Sequence, residues 1–208
     1  MELTLENQIN NTLNELYHEA KKDQFKILKK IAQKTLKKIQ PSDLKDVYLS
    51  ISKKQGEYLQ QYIKTYRLKN IVEFGTSFGI STLFLAQGTL ETKGQIITTE
   101  LIPSKGQKAI ENFKRAGVHK LIEVRIGNAL QTLKDYQKPI DLLLLDGWKD
   151  LYLPLFQLLE PNYHKKTMIY VDNANMLETQ KFLATIAQNS KYKITPQHNG
   201  KAAQITMA

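Results

Sequence analysis

Residues 140–154 read IDLLLLDGWKDLYLP, and this stretch decides the fold. Positions 142–145 are all leucine, the texture of a strand buried on both faces of a parallel sheet, and the run stops at Asp146. Asp146, Trp148, Lys149 and Asp150 then follow within five positions. In open α/β sheets ligands bind in the crevice beyond the carboxyl ends of the strands, so the chemistry of the chain is expected at this strand end.

Working outward, strand-like runs at 71–74, 95–99, 121–126, 141–145 and 168–171 alternate with helical stretches near 81–86, 105–116, 129–136, 154–160 and 175–188. That rhythm predicts βαβ units and a parallel sheet with helices on both faces. Two last runs, 192–195 and 202–207, flank Asn199-Gly200, a hairpin signal, so the seventh strand is expected to enter antiparallel. Upstream, Leu5, Ile9, Leu13, Leu16 and Tyr17, and then Phe25, Leu28, Ala32, Leu36 and Ile39, keep helical spacing until Pro41. Two amphipathic helices are predicted there, with a further helix over 54–66. The expected organisation is a helical N-terminal extension over 1–49 and one α/β domain over 50–208. The extension's polar faces are mostly Lys, which suits a solvated helical layer packed on the domain; a homodimer surface or a cap over the site is the alternative.

Composition narrows the function classes. With 208 residues, 41% hydrophobic and 24% charged, the chain has room for one sizeable core. There is no Cys, which excludes disulfides, zinc-thiolate centres and a cysteine nucleophile and suits a cytoplasmic setting. No apolar run approaches the ~20 residues of a membrane span, and the start has no signal-peptide pattern, so no membrane association is expected. The net charge of +10 would permit nucleic acid as a partner. It is spread evenly, however, with 14 Lys/Arg against 8 Asp/Glu in residues 1–69 and 16 against 12 in the rest. Only Arg67, Arg115 and Arg125 could supply guanidinium forks, so nucleic acid ranks low.

The strand ends carry the remaining signals. After the first strand, residues 73–82 read EFGTSFGIST: Gly75 and Gly79 let the backbone turn and approach a ligand, and Ser81 and Thr82 open a helix whose free N–H groups favour an anionic group. The spacing Gly-x-x-x-Gly argues against a dinucleotide fingerprint, and no phosphate-loop Gly-Lys-Ser/Thr exists. Glu100 ends the second strand 21 positions after Gly79, about the ~20-residue offset at which an acidic side chain reaches ribose hydroxyls. Asn128 either caps the following helix or lies, with Ala129, against an adenine; both can hold. Asp146 and, 26 positions later, Asp172-Asn173 end neighbouring strands. Their hard oxygen donors suit Mg²⁺ or Ca²⁺, while turn chemistry alone would also account for Asp-Asn.

These residues resemble class I S-adenosylmethionine-dependent methyltransferases, and within them the catechol and caffeoyl-CoA O-methyltransferase group. Residues 72–82 are similar to the family's first motif. Residues 146–154, beginning Asp-Gly-Trp-Lys-Asp, are similar to the catechol enzyme's Asp-His-Trp-Lys-Asp segment, and Val171-Asp172-Asn173 to its second metal-ligand pair. Residues 51–56 resemble the stretch that closes over the cofactor's methionine end. The resemblance implies an α/β, Rossmann-like, mostly parallel seven-stranded sheet with an antiparallel C-terminal hairpin strand. It implies that Ile51, Glu73, Gly75, Ser77, Gly79 and Ser81 surround the methionine part of S-adenosylmethionine, and that Glu100, with Leu101 beside it, holds the ribose. Asn128 and Ala129 would flank the adenine, and Trp148 would wall a pocket that Asp146 also borders. Asp146, Asp172 and Asn173 would hold a divalent cation, Mg²⁺ by preference, with Lys149 as the base and Asp146 sharing in catalysis.

The implied activity is metal-assisted O-methyl transfer to a hydroxyl of a small molecule. A metal-independent methyltransferase acting on nitrogen or a macromolecule, and a binding module without catalysis, are the alternatives. Two departures stand out. Gly147 replaces the catechol enzyme's bulkier residue, which is expected to open the adenine side, and nothing after the closing hairpin resembles that enzyme's acceptor-binding Glu.

Overall fold

The computed structural model of the chain describes residues 4–33 and 51–208, the side chains of 22–33 excepted. Seven strands form one sheet: β1 (Asn70–Phe74), β2 (Gln95–Glu100), β3 (Ile122–Ile126), β4 (Ile140–Leu145), β5 (Tyr163–Asp172), β6 (Tyr192–Gln197) and β7 (Ala202–Met207). Their order is β3-β2-β1-β4-β5-β7-β6, parallel from β3 through β5, with β7 antiparallel to both β5 and β6. The expected mixed sheet is therefore present, and the hairpin at Asn199-Gly200 turns β7 back as the sequence indicated.

Among the described residues seven α-helices cover it: α1 (Leu5–Gln33), α2 (Lys53–Tyr66), α3 (Ile80–Thr92), α4 (Pro103–Arg115), α5 (Ala129–Thr132), α6 (Tyr152–Leu159) and α7 (Leu177–Ala187). Side-chain alternation along the strands splits the core in two. Ile71, Leu142, Leu144, Met168 and Tyr170 face α1 to α4, while Val72, Phe74, Leu143, Leu145 and Val171 face α5 to α7. β4, buried on both faces, is the strand that the leucine run predicts.

Strand β5 starts at Tyr163, five residues before the expected run, and three helices differ from the sequence reading for local reasons. The two N-terminal amphipathic runs are not two helices; α1 is continuous to Gln33, because Lys21-Lys22-Asp23-Gln24 contains no breaker. Its described face, Ile9, Leu13, Leu16 and Ala20, is buried on the domain core, while residues 34–50, including the end of the second run, lie outside the described residues. Helix α3 runs past Ala86 to Thr92. Gly88 sits where a side chain would strike Ile63 of α2, and the Thr89 hydroxyl donates back to the Leu85 and Ala86 carbonyls. Helix α5 stops at Thr132 instead of Tyr136, because Arg125 Nη1 donates to the Thr132 carbonyl at 2.7 Å, the acceptor the next turn would use.

At the amino end of the sheet, Asp141 Oδ2 accepts from the backbone N–H groups of Lys69 and Asn70, both at 2.8 Å. This fixes the start of β1 against β4. No helix among the described residues is long and apolar enough to cross a membrane.

Candidate active site

The carboxyl ends of β1, β2, β4 and β5 and the loop after β3 meet at one rim, around a cavity of about 430 Å³. That is the size of a small-molecule site. At one end stands Glu100, the last residue of β2. Its Oε2 accepts from the Ser77 backbone N–H at 2.8 Å and its Oε1 from the Ile102 N–H at 2.9 Å. Each carboxylate oxygen keeps a further lone pair, so the held carboxylate offers two acceptors to a diol.

Ser77 reaches Glu100 because the chain leaves β1 through Gly75 at φ 106 and Ser77 itself lies at φ 50. A Cβ on Gly75 would meet the Asp146 carbonyl oxygen at 2.7 Å; only glycine lets the exit of β1 pass that of β4. Leu101, Asn128 and Ala129 continue the wall. Asn128 Oδ1 accepts from the Leu130 N–H at 2.9 Å as the cap of α5 and also lines the cavity, so its two sequence readings coexist in the geometry.

The other end is acidic. Asp172, the last residue of β5, and Asp146, the residue that follows β4, bring their carboxyls side by side. Burial, and next the neighbouring Asp172, push Asp146 well above the usual carboxylate range, against the pull of Lys149. Lys149 Nζ donates to the Gly147 carbonyl at 2.9 Å, lies 4.0 Å from Asp146 Oδ1 and sits 5.4 Å from the centre of the Tyr152 ring. Asp172 Oδ1 accepts from Gln55 Nε2 and its Oδ2 from Asn173 Nδ2, both at 2.6 Å. Asn173 adopts φ 55, a left-handed conformation that Asn tolerates better than most residues. Trp148 and Lys149 line the cavity between its two ends.

The donor set fits a divalent cation. Two carboxylates and the Asn173 amide oxygen are hard ligands, each engaged Asp172 oxygen keeps a lone pair, and adjacent buried carboxylates are costly without a positive charge between them. Among the described residues no group of three or more His, Cys, Asp or Glu stands ready for a metal, so a cation here would depend on Asn173 and water.

Four of the predicted cofactor contacts, Ile51, Glu73, Gly79 and Ser81, are not among the residues that line this cavity. Ile51 is buried, with its carbonyl accepting from the Tyr17 hydroxyl at 3.1 Å. Glu73 is fully buried; its Oε2 accepts from the hydroxyls of Thr82 at 2.5 Å and Thr98 at 2.6 Å, and its Oε1 has no partner. Burial pushes Glu73 up to about 7, against the hydroxyls of Ser81, Thr82 and Thr98. Gly79 caps α3 under the Phe113 ring, and Ser81 is buried in the first turn.

The expectation that Gly147 opens the pocket is corrected. A Cβ there would lie 2.5–2.7 Å from three carbons of the Phe74 ring, so Phe74 occupies the space that the missing side chain leaves.

Sequence reasoning missed Phe74, Thr99, Ile102, Lys105, Gly127, Leu151 and Met176 in the lining. Phe74, Thr99 and Gly127 lie at strand ends, where the crevice rule could have found them. Gln55 was also missed, although Ser52-Lys53-Lys54-Gln55 is a capping-box signature ahead of a helix.

An open sheet with this strand order and a cavity at its carboxyl rim is the architecture of a class I methyltransferase. The profile of the O-methyltransferase family matches residues 18–204, and the chain belongs to that family. Among curated relatives, a catechol O-methyltransferase of Niastella koreensis is 33% identical over 129 residues, 60% of this chain and 58% of that protein. The catechol O-methyltransferase of Mycobacterium tuberculosis is 32% identical over 126 residues, 60% of this chain and 57% of that one. The matched segments thus span under three fifths of these relatives' lengths. Among solved structures, the O-methyltransferase from Bacillus cereus in complex with SAH superposes with a TM-score of 0.68 at 25% identity, covering 76% of this chain and 83% of that one.

Proposed function

We propose that this protein transfers the methyl group of S-adenosylmethionine to a hydroxyl of a small molecule, with a divalent cation, Mg²⁺ by preference, at the acidic end of the cavity. The observation that carries the reading is the pairing of two sites across one cavity: the Glu100 carboxylate at one end, and Asp146, Asp172 and Lys149 at the other. Similarity to catechol O-methyltransferases and to an SAH-bound O-methyltransferase supports it.

Methyl transfer from a sulfonium is an in-line displacement, so the protein's main task is alignment. Glu100 would accept the ribose hydroxyls, Leu101, Asn128 and Ala129 would border the adenine, and Gly75 and Ser77 the chain leading to the sulfonium. Trp148 would wall the pocket. Asp146, Asp172 and Asn173 would hold the cation, which, when bound, favours the oxyanion form of an acceptor hydroxyl. Lys149, with Nζ within reach of both Asp146 and the cavity, would accept the proton as the neutral amine, its ammonium proton having first left to solvent.

Calorimetry with S-adenosylhomocysteine tests the donor site: micromolar binding is expected, and no binding removes the reading. Labelled methyl transfer to a panel of polyphenols and other hydroxylated small molecules, with and without chelator, tests the rest. A second reading, alignment of the acceptor without a cation, is favoured by the amide donors already on both Asp172 oxygens. Transfer that survives chelation would select it.

A further inference from the structure

Gln55 is 117 residues from Asp172 in sequence, yet it makes one of the shortest side-chain contacts to that carboxylate, Nε2 to Oδ1 at 2.6 Å. It is 6% exposed. Its other amide atom is fully used: Oε1 accepts from the Ser52 backbone N–H at 3.0 Å and from the Ser52 hydroxyl at 2.8 Å. Those bonds fix the orientation of the amide, because a flipped Gln55 would turn its NH₂ toward the Ser52 donor and its oxygen toward a carboxylate. The Gln55 backbone N–H in turn donates to Ser52 Oγ at 3.3 Å, closing the capping box of α2. One side chain therefore joins the amino end of α2 to the carboxyl end of β5.

We propose that Gln55 is a positioning residue for Asp172: its N–H holds Oδ1 and fixes the carboxylate plane, so that the remaining lone pairs face Asp146 and can receive a divalent cation. This rests on the metal-assisted reading above. Asn173 Nδ2 holds the other oxygen, so the carboxylate is gripped from both sides and cannot rotate about its terminal torsion. Such a torsion is otherwise broad. A neutral amide suits the task, since it donates without neutralising the charge a cation would need.

The test uses the full chain with S-adenosylhomocysteine present and Mn²⁺ as the probe, its binding read by electron paramagnetic resonance. Gln55→Met keeps length and burial but removes the donor, and is expected to weaken Mn²⁺ by about ten- to hundredfold, as loss of a hydrogen bond to a ligating carboxylate does. S-adenosylhomocysteine affinity should stay within about threefold, because Gln55 does not line the cavity. Ser52→Ala removes the hydroxyl of the capping box but leaves the Ser52 backbone N–H on Gln55 Oε1 to hold the amide, and so separates positioning from helix support: it should lower Tm and leave Mn²⁺ binding within about threefold of wild type. Unchanged Mn²⁺ affinity in Gln55→Met, or an equal loss in Ser52→Ala, overturns the proposal. If the wild-type protein binds S-adenosylhomocysteine but no Mn²⁺, the metal reading fails on its own. The crystal structure of Gln55→Met then decides: Asp172 in a new rotamer upholds the positioning role, and an unmoved Asp172 refutes it.

Discussion

Gly147→Ala is the smallest substitution that interrogates the cavity wall. The added methyl would stand 2.5–2.7 Å from three carbons of Phe74, about 1 Å inside the optimal separation of carbon atoms. The ring cannot retreat into the core, since Tyr152 packs edge-on at 6.2 Å and is itself held by a 2.9 Å hydrogen bond from its hydroxyl to the Leu145 carbonyl. Two responses are open. If the wall keeps its place, the strain is that of an overpacked core, about 1–3 kcal/mol. At this chain length that lowers Tm by about 2–12 °C. If the ring swings outward, it enters the cavity, Tm falls less, and S-adenosylhomocysteine binding weakens tenfold for every ~1.4 kcal/mol of lost space and contact. Phe74→Leu in the Gly147→Ala background should recover whichever quantity fell, because the smaller side chain yields the room. Differential scanning fluorimetry and calorimetry on the two single variants and the double variant complete the cycle. A Gly147→Ala protein with wild-type Tm and wild-type affinity would refute the claim that Phe74 occupies this space.

Three further outcomes are expected. Glu100→Ala removes two acceptors of backbone N–H groups and the proposed ribose contacts, so S-adenosylhomocysteine affinity measured by calorimetry should fall by at least about a hundredfold. Lys149→Met should lower kcat by about 10²–10⁴ with S-adenosylhomocysteine affinity unchanged; a loss confined to affinity would remove Lys149 from proton transfer. Glu73 has a folded-state pKa raised to about 7 from 4.5, so the folded protein holds its proton more tightly than the unfolded chain and stability falls as pH rises through that window. The contribution is about 3 kcal/mol, and Glu73→Gln should flatten the wild-type decline in unfolding free energy between pH 5 and 8 by about that amount; parallel curves for the two proteins would contradict the assignment.

What could be read from the sequence was the part of the site that lies along the chain. The leucine run marks a doubly buried strand, and its abrupt end delivers Asp146, Trp148 and Lys149 to the rim without any knowledge of neighbours. Glu100 and Asp172 follow from the same logic applied to β2 and β5. What could not be read was contact across the chain. Phe74 and Gly147 are complementary only because β1 and β4 pair in a register that sets Phe74 beside Leu145. Gln55 meets Asp172 only after α2 has packed against the sheet. Helix ends were also hidden where a remote side chain decides them, as Arg125 does for α5.

The pair of amide hydrogens received by Asp141 has a bearing on how damage to this molecule would present itself. It sits at the foot of the sheet, and the five steps from Asp141 to Asp146 carry the chain about 17 Å from there to the ligand rim. A lesion at Asp141 would loosen the stagger of the two central strands, and every group at the summit depends on that stagger. Its first symptom would be poor ligand uptake in a protein whose pocket residues are all intact, so a screen that scores only the pocket would misfile a foundation defect as a binding defect.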